Sequence, residues 1–199
     1  MCNKFISGHR NYHVRGINSF LIRESKPGES RLLRVFQATD NCASKLIQYG
    51  DYSIAPHNHS FSLTLYLMFG AAYNVEFQSI VNDGNDYSYR LGVNGDGFNL
   101  EESTLCTLVV DQIRRIRADG IGMNSEVVHS IVAESGSVWL TVENESPIDF
   151  VEPLYLFSKL PNFSLVDPEL YQPMSEGELS GYQYILDAAK NTMHREGIT

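Results

Sequence analysis

The sequence predicts an all-β domain, a barrel or sandwich of about ten short strands with a C-terminal helix laid against it. Between Ser30 and Phe157, short runs rich in β-branched and aromatic residues alternate with clusters of Gly, Asn, Asp and Ser, the pattern of strands joined by tight turns. The punctuation itself is of turn type: Tyr49-Gly50-Asp51, Asn82-Asp83-Gly84-Asn85-Asp86, Gly92 to Gly97, Ala118-Asp119-Gly120 and Ser135-Gly136-Ser137. After Pro161 the composition changes and a helical spacing takes over.

Taken in order, an edge strand is expected around Ile17–Arg23 within a less legible N-terminal arm. Strands follow at Arg31–Gln37, Lys45–Tyr49, Ser53–Ala55, Leu63–Phe69, Tyr73–Gln78, Tyr87–Leu91, Thr104–Val110, Ile113–Ala118, Val127–Ala133 and Ser137–Val142, with Leu154–Ser158 as an addition. Asp119-Gly120 and Ser135-Gly136 read as hairpin ends. The acidic, glycine-bearing stretch Asn82–Glu102 reads as a loop able to serve as a lid or a dimer contact. It lacks the ligand series of a calcium loop. Met174–Arg195 is predicted helical: Ser175 and Glu178 form a capping box, and Leu179, Tyr182, Tyr184, Ile185, Ala188 and Met193 approximate helical spacing, weakened at Gly181. The expected organisation is a β-barrel with its arm over 1–160 and a helical extension over 161–199, packed on the barrel.

With 199 residues and 43% hydrophobic composition, the chain can bury a full core. Twenty-four acidic against fifteen basic residues leave a formal charge of −9, so neither nucleic acid nor an anionic membrane surface is an expected partner. No apolar run reaches the roughly 18 residues of a membrane span, and Met1 to Ser19 does not resemble a secretion signal, so a cytoplasmic protein is expected. Cys2, Cys42 and Cys106 are odd in number and widely spaced, which argues against a disulfide framework or a cysteine zinc site. His9, His13 and His194 lie among charged neighbours near the ends and read as solvated.

Chemistry concentrates in Gly50-Asp51-Tyr52-Ser53-Ile54-Ala55-Pro56-His57-Asn58-His59. On a strand, residues i and i+2 point to one side, so His57 and His59 can offer two imidazoles to one ion. A third imidazole is available at His129, in the β-branched run Val127-Val128-His129-Ser130-Ile131-Val132. Imidazole suits iron, zinc, copper and nickel. Glu76 and Glu143 are candidates for a fourth ligand. Alternation from His59 through Phe61, Leu63, Leu65 and Leu67 places that set on one face and Tyr66 on the other.

An HxH pair, a hairpin ending at Gly70, and a strand-borne histidine some sixty residues on together resemble the cupin superfamily over about Leu32 to Val142. Gly50, His57, His59 and Gly70 fall where the first cupin motif has its leading glycine, two histidine ligands and closing glycine, and His129 falls where the second has its histidine. Thr64 stands where most cupins have a carboxylate ligand, and Asn124 and Glu126 replace the usual Pro and Gly. The fold implied is a double-stranded β-helix, a jelly-roll barrel with a metal at its mouth, commonly a homodimer.

A site of three neutral imidazoles leaves a bound dication near +2 and favours a bidentate or anionic ligand. Among three-histidine cupins the chain is similar to thiol dioxygenases, which implies Fe(II), with zinc, nickel or manganese as alternatives. The same likeness implies a small-molecule substrate, a thiol or chelating acid, consumed with dioxygen. A strand-borne arginine upstream of the HxH pairs with the substrate carboxylate in those enzymes, and Arg34 lies in a comparable place. Tyr52 precedes the HxH and is assigned to the site mouth. The Ser-His-Tyr series of cysteine dioxygenases is not reproduced, for the corresponding strand reads Ser137-Val138-Trp139-Leu140-Thr141. Three further readings stand beside this one: a metal-dependent isomerase, lyase or hydrolase on the same barrel, a cupin that binds a small molecule without turnover, and an interaction module whose histidines bind nothing.

Overall fold

A computed structural model describes residues 11–14, 16–23, 33–39, 55–59, 61–94, 97–144, 154–159 and 172–198. The strands are β1 (Asn11–Val14), β2 (Ile17–Arg23), β3 (Leu33–Ala38), β4 (Ser62–Phe69), β5 (Ala72–Asn94), β6 (Gly97–Arg115), β7 (Ile121–Met123), β8 (Val128–Ala133), β9 (Val138–Asn144), β10 (Leu154–Ser158) and β11 (Gln172–Pro173). Two helices close the chain, α1 (Glu176–Ser180) and α2 (Gln183–Arg195).

One sheet has the order β11-β1-β2-β3-β9-β4-β7, and the other β10-β5-β6, with β8 also on β5. All recorded pairings are antiparallel. The segment around His57 bridges β8 at His129. In chain order, β3, the His57 segment, β4, β5, β6, β7, β8 and β9 therefore divide into β3-β9-β4-β7 on one side and His57-β8-β5-β6 on the other, the strand order of a jelly roll. The protein is all-β with a C-terminal helical extension, the fold class expected from its sequence.

Alternation along the strands builds two layers of core. Leu65, Ile121 and Trp139 of the larger sheet meet Ala72, Ile131 and Ala133 of the smaller, with Phe36 and Leu67 packed against them. On the opposite face of the larger sheet, Phe20, Leu33, Val35, Val138, Leu140 and Val142 receive Ile185 and Ala189 of α2 and Ile198 beyond it. Tyr66 packs on that outer layer, as alternation requires. Burying a side chain such as Ile185 contributes about 1.5–3 kcal/mol. The first part of β9 is buried on both faces, which is why Val138-Trp139-Leu140 reads as a continuous apolar run.

The structure departs from the sequence reading in three places. Tyr73–Gln78 and Tyr87–Leu91 are one strand, as are Thr104–Val110 and Ile113–Arg115, so the expected loop Asn82–Glu102 is the far half of a long hairpin. Its Asn-Asp-Gly-Asn cluster forms a bulge, with Val81 and Asp86 both opposite Cys106. A Cβ on Gly84 would lie 2.2 Å from the Cys106 carbonyl oxygen, so glycine is required where the backbones cross closely. Asp86 ties the bulge down, accepting from the Leu108 N–H at 2.9 Å and pairing with Lys159 at 3.2 Å.

The predicted C-terminal helix is two. The capping box of Ser175 and Glu178 starts α1, but Gly181 and Tyr182 donate to carbonyls three residues back and α2 begins anew. His13 is not simply solvated: its Nδ1 lies 2.6 Å from Asn18 Oδ1 and its Nε2 3.6 Å from Glu178. The expected strand Lys45–Tyr49, most of Ser53–Ala55, Cys2, Cys42 and His9 lie outside the described residues. Cys106 is fully buried, and burial raises its thiol above the ordinary range. Among the described residues, no helix is long and apolar enough to cross a membrane.

Candidate metal centre

The second edge of β5 is shared, β8 running along its first part and β10 along its last. The His57 segment fills the gap between them. His57 N–H donates to the His129 carbonyl at 3.0 Å and His129 N–H to the His57 carbonyl at 2.9 Å, a closed antiparallel pair. On the other side, Asn58 accepts from the Tyr155 N–H at 2.6 Å and Phe157 N–H donates to the Pro56 carbonyl at 2.8 Å. His59 N–H reaches the Ser125 carbonyl at 3.1 Å. The segment is thus held from both flanks, Asn58 turned to β10 and its histidine neighbours turned together toward His129.

The three rings converge. Their centroids are 4.5 Å apart for His57 and His59 and 5.1 Å for each pair with His129. One nitrogen from each lies within 4.8 Å of the others. His57 Nδ1 donates to the Ala55 carbonyl at 2.8 Å, which leaves Nε2 with its lone pair. His129 Nδ1 lies 2.6 Å from Asn74 Oδ1, an acceptor, so its Nε2 is likewise the free base. Nε2 of His59 stands 2.9 Å from Nε2 of His129. Two ligands about 2.1 Å from one ion and at right angles to each other lie about 3.0 Å apart, so this spacing accommodates a transition-metal ion.

His129 is buried, while His57 and His59 are partly exposed, so the cluster opens on one side. Desolvation lowers all three imidazoles below their ordinary value, partly offset at His57 by its bond to the Ala55 carbonyl; His59 and His129 lie well below it, because repulsion from neighbouring imidazoles adds to their shift. At neutral pH the cluster is therefore three neutral bases, the form that binds metal. Because the folded pKa values lie below that of an unfolded histidine, near 6.5, the unfolded chain takes up more protons as pH falls through that value. The metal-free protein is expected to keep this contribution to stability above about pH 6.5 and to lose it progressively below. Thermal unfolding of metal-free protein between pH 8 and 5 checks this. Replacing His129 with Gln should flatten the decline.

The other sequence candidates fall in different places. The Glu76 carboxylate does not join the cluster: it accepts from Asn74 Nδ2 at 2.8 Å and from Arg114 Nε at 2.7 Å, with Arg114 Nη2 also upon it. Glu143 is not in the three-residue group either. Thr64 shares the outer face with Tyr66, for both side chains lie against the Cβ direction of Gly120. Arg34 lies on the same face of β3 as Phe36, between the sheets, where its Nη1 donates to Ser19 Oγ at 2.8 Å and its guanidinium lies 4.9 Å from the centre of the Tyr12 ring. Tyr52 lies outside the described residues. Sequence reasoning missed Asn74 and Arg114. An asparagine sharing a strand face with Glu76 and Ala72 was the available signal, since a polar residue at an inward position requires a partner.

No family model matches the chain. No curated protein matches it. Thirty chains of solved structures do. One is cobalt(II) HppE in complex with substrate, at 14% identity over 69% of this chain and 55% of that one, TM-score 0.32. Another is procruciferin, the 11S globulin of Brassica napus, at 10% identity over 92% of this chain and 46% of that one, TM-score 0.41. This chain spans about half the length of either.

Proposed function

We propose that the chain is a mononuclear non-haem iron enzyme of dioxygenase type, acting on a small soluble thiol or chelating acid. The observation that carries this reading is the convergence of His57, His59 and His129 without a carboxylate among them. Ferrous iron held by the three imidazoles would supply redox chemistry toward dioxygen and Lewis acidity toward a substrate donor atom.

The chain's own residues divide the remaining work. His57 and His59 ride a segment fixed by backbone bonds on both flanks, so the ligand geometry is set before metal arrives. Among the described residues no carboxylate joins the three imidazoles, so a bound dication would keep its charge and suit an anionic substrate. Arg34, oriented by Ser19 and Tyr12, supplies a guanidinium for a substrate carboxylate between the sheets. Tyr52, five residues before His57, is assigned to the site mouth. In this reading the protein works as a cytoplasmic homodimer.

Oxygen uptake by the iron-loaded protein, screened with small thiols and chelating carboxylic acids, tests the reading. Substrate-dependent uptake is expected, absent in His129→Ala. Arg34→Leu should raise KM for a carboxylate substrate about 30-fold, the equivalent of about 2 kcal/mol for a lost charged hydrogen bond. Turnover without oxygen would replace this reading with a Lewis-acid isomerase, lyase or hydrolase. Tight ligand retention without product would make the barrel a binding protein.

A further inference from the structure

We propose that Glu76 and Arg114 fix the ring tautomer of His129 through the side-chain amide of Asn74. This deepens the metal-site reading and rests on it for its functional meaning. His129 and Glu76 are directly opposed across the β8–β5 ladder, and Asn74 sits two residues along from Glu76 on the same face. The three side chains form a single line of hydrogen bonds closed by Arg114.

The direction of every bond in that line follows from its far end. The Glu76 carboxylate is salt-bridged to the Arg114 guanidinium, whose Nη1 also donates to the Gly122 carbonyl at 3.1 Å. A carboxylate in this setting accepts hydrogen bonds and donates none. Only the NH₂ end of Asn74 can therefore face it, at 2.8 Å from Oε1, and the same nitrogen lies 3.6 Å from the Met123 sulfur, a second acceptor. A flipped amide would set its oxygen against a carboxylate oxygen and a sulfur. With the nitrogen so committed, Asn74 Oδ1 is what His129 Nδ1 meets, at 2.6 Å. That nitrogen must carry the proton, and Nε2 must carry the lone pair.

The alternative tautomer would disable the site. With the proton on Nε2, His129 would donate to His59 Nε2, 2.9 Å away, and offer nothing to a metal. All three residues of the line are buried or nearly so, Asn74 fully and Glu76 at 9% exposure, so water does not compete for the amide. Asn74, Glu76 and Arg114 are positioning residues: they touch a ligand or each other and leave the reacting atoms to others.

The test reads the tautomer directly, by ¹⁵N NMR of the ring nitrogens in metal-free protein, beside zinc affinity. The wild type should show His129 protonated at Nδ1. Replacing the ion pair together, E76L/R114L, removes the lock without leaving an orphaned charge; His129 should then populate both tautomers and zinc should bind about 10-fold more weakly. Adding N74D to that double variant places an acceptor directly on Nδ1–H and should restore the single tautomer, a rescue that loss of packing would not give.

An unchanged tautomer with unchanged affinity in E76L/R114L, or no rescue by N74D, overturns the proposal. Should the double variant not fold, Asn74→Leu decides: the proton should move to Nε2, and its staying on Nδ1 refutes the role of Asn74. A wild type with the Nδ1–H tautomer that binds no zinc would refute the metal centre and leave the tautomer lock supported.

Discussion

Replacing His129 with alanine is expected to abolish metal binding while the barrel stays folded. His129 is the imidazole shared by both ring contacts to the HxH pair, and its Nε2 is held as a free base by Asn74. Loss of an outer partner to a ligand already costs 10–100-fold in metal affinity, so loss of the ligand itself should weaken zinc binding by at least about 100-fold. The backbone pair between His57 and His129 uses main-chain atoms and survives the change. The local cost is Asn74 Oδ1 left without its donor, about 1–3 kcal/mol, a fraction of a domain's stability. Calorimetric zinc titration beside far-ultraviolet circular dichroism checks both halves. Retained affinity with a native spectrum would remove His129 from the site.

The largest stability loss is expected at Trp139. Its side chain is 1% exposed, lies in the layer between the two sheets and stacks on Phe36 with ring centroids 5.5 Å apart. Truncating a buried tryptophan to alanine costs about 3–5 kcal/mol, because the rigid strands on either side cannot collapse into the space. For a chain of this size that corresponds to a fall in Tm of roughly 6–20 °C. Calorimetry on the variant reads it directly, and a fall of under about 3 °C would mean that the layer between the sheets is not the main core.

What the sequence revealed and withheld follows the range of the interactions involved. Strands such as Ile17–Arg23 and Leu154–Ser158 were legible because alternation and turn residues are local signals. The four-residue β1 and three-residue β7 are too short to carry a pattern, and take their form from neighbours in the sheet. Asn82 to Asn85 misled for a physical reason: the residues that favour a turn also favour a bulge, and only the crossing of β6 at Cys106 decides between them.

The candidate site divides in the same way. His57 and His59 announce themselves through their i, i+2 spacing, and the structure brings His129 to them through the jelly-roll order. Glu76 was visible as a carboxylate on a return strand, but its role was not. Whether it reached a metal or Arg114 depended on the register of β5 against β6 and β8, which no local pattern encodes. Arg34 shares that limit, since Ser19 and Tyr12 meet it from other strands.

Three neutral imidazoles on this barrel are proposed to hold one metal ion. Elemental analysis of protein purified without a metal-affinity tag, beside the His57→Ala variant, tests it most directly. Close to one ion per chain, iron foremost, is expected in the wild type and close to none in the variant. Substoichiometric metal that the variant does not change, persisting after reconstitution with iron, zinc, nickel and manganese, would contradict it.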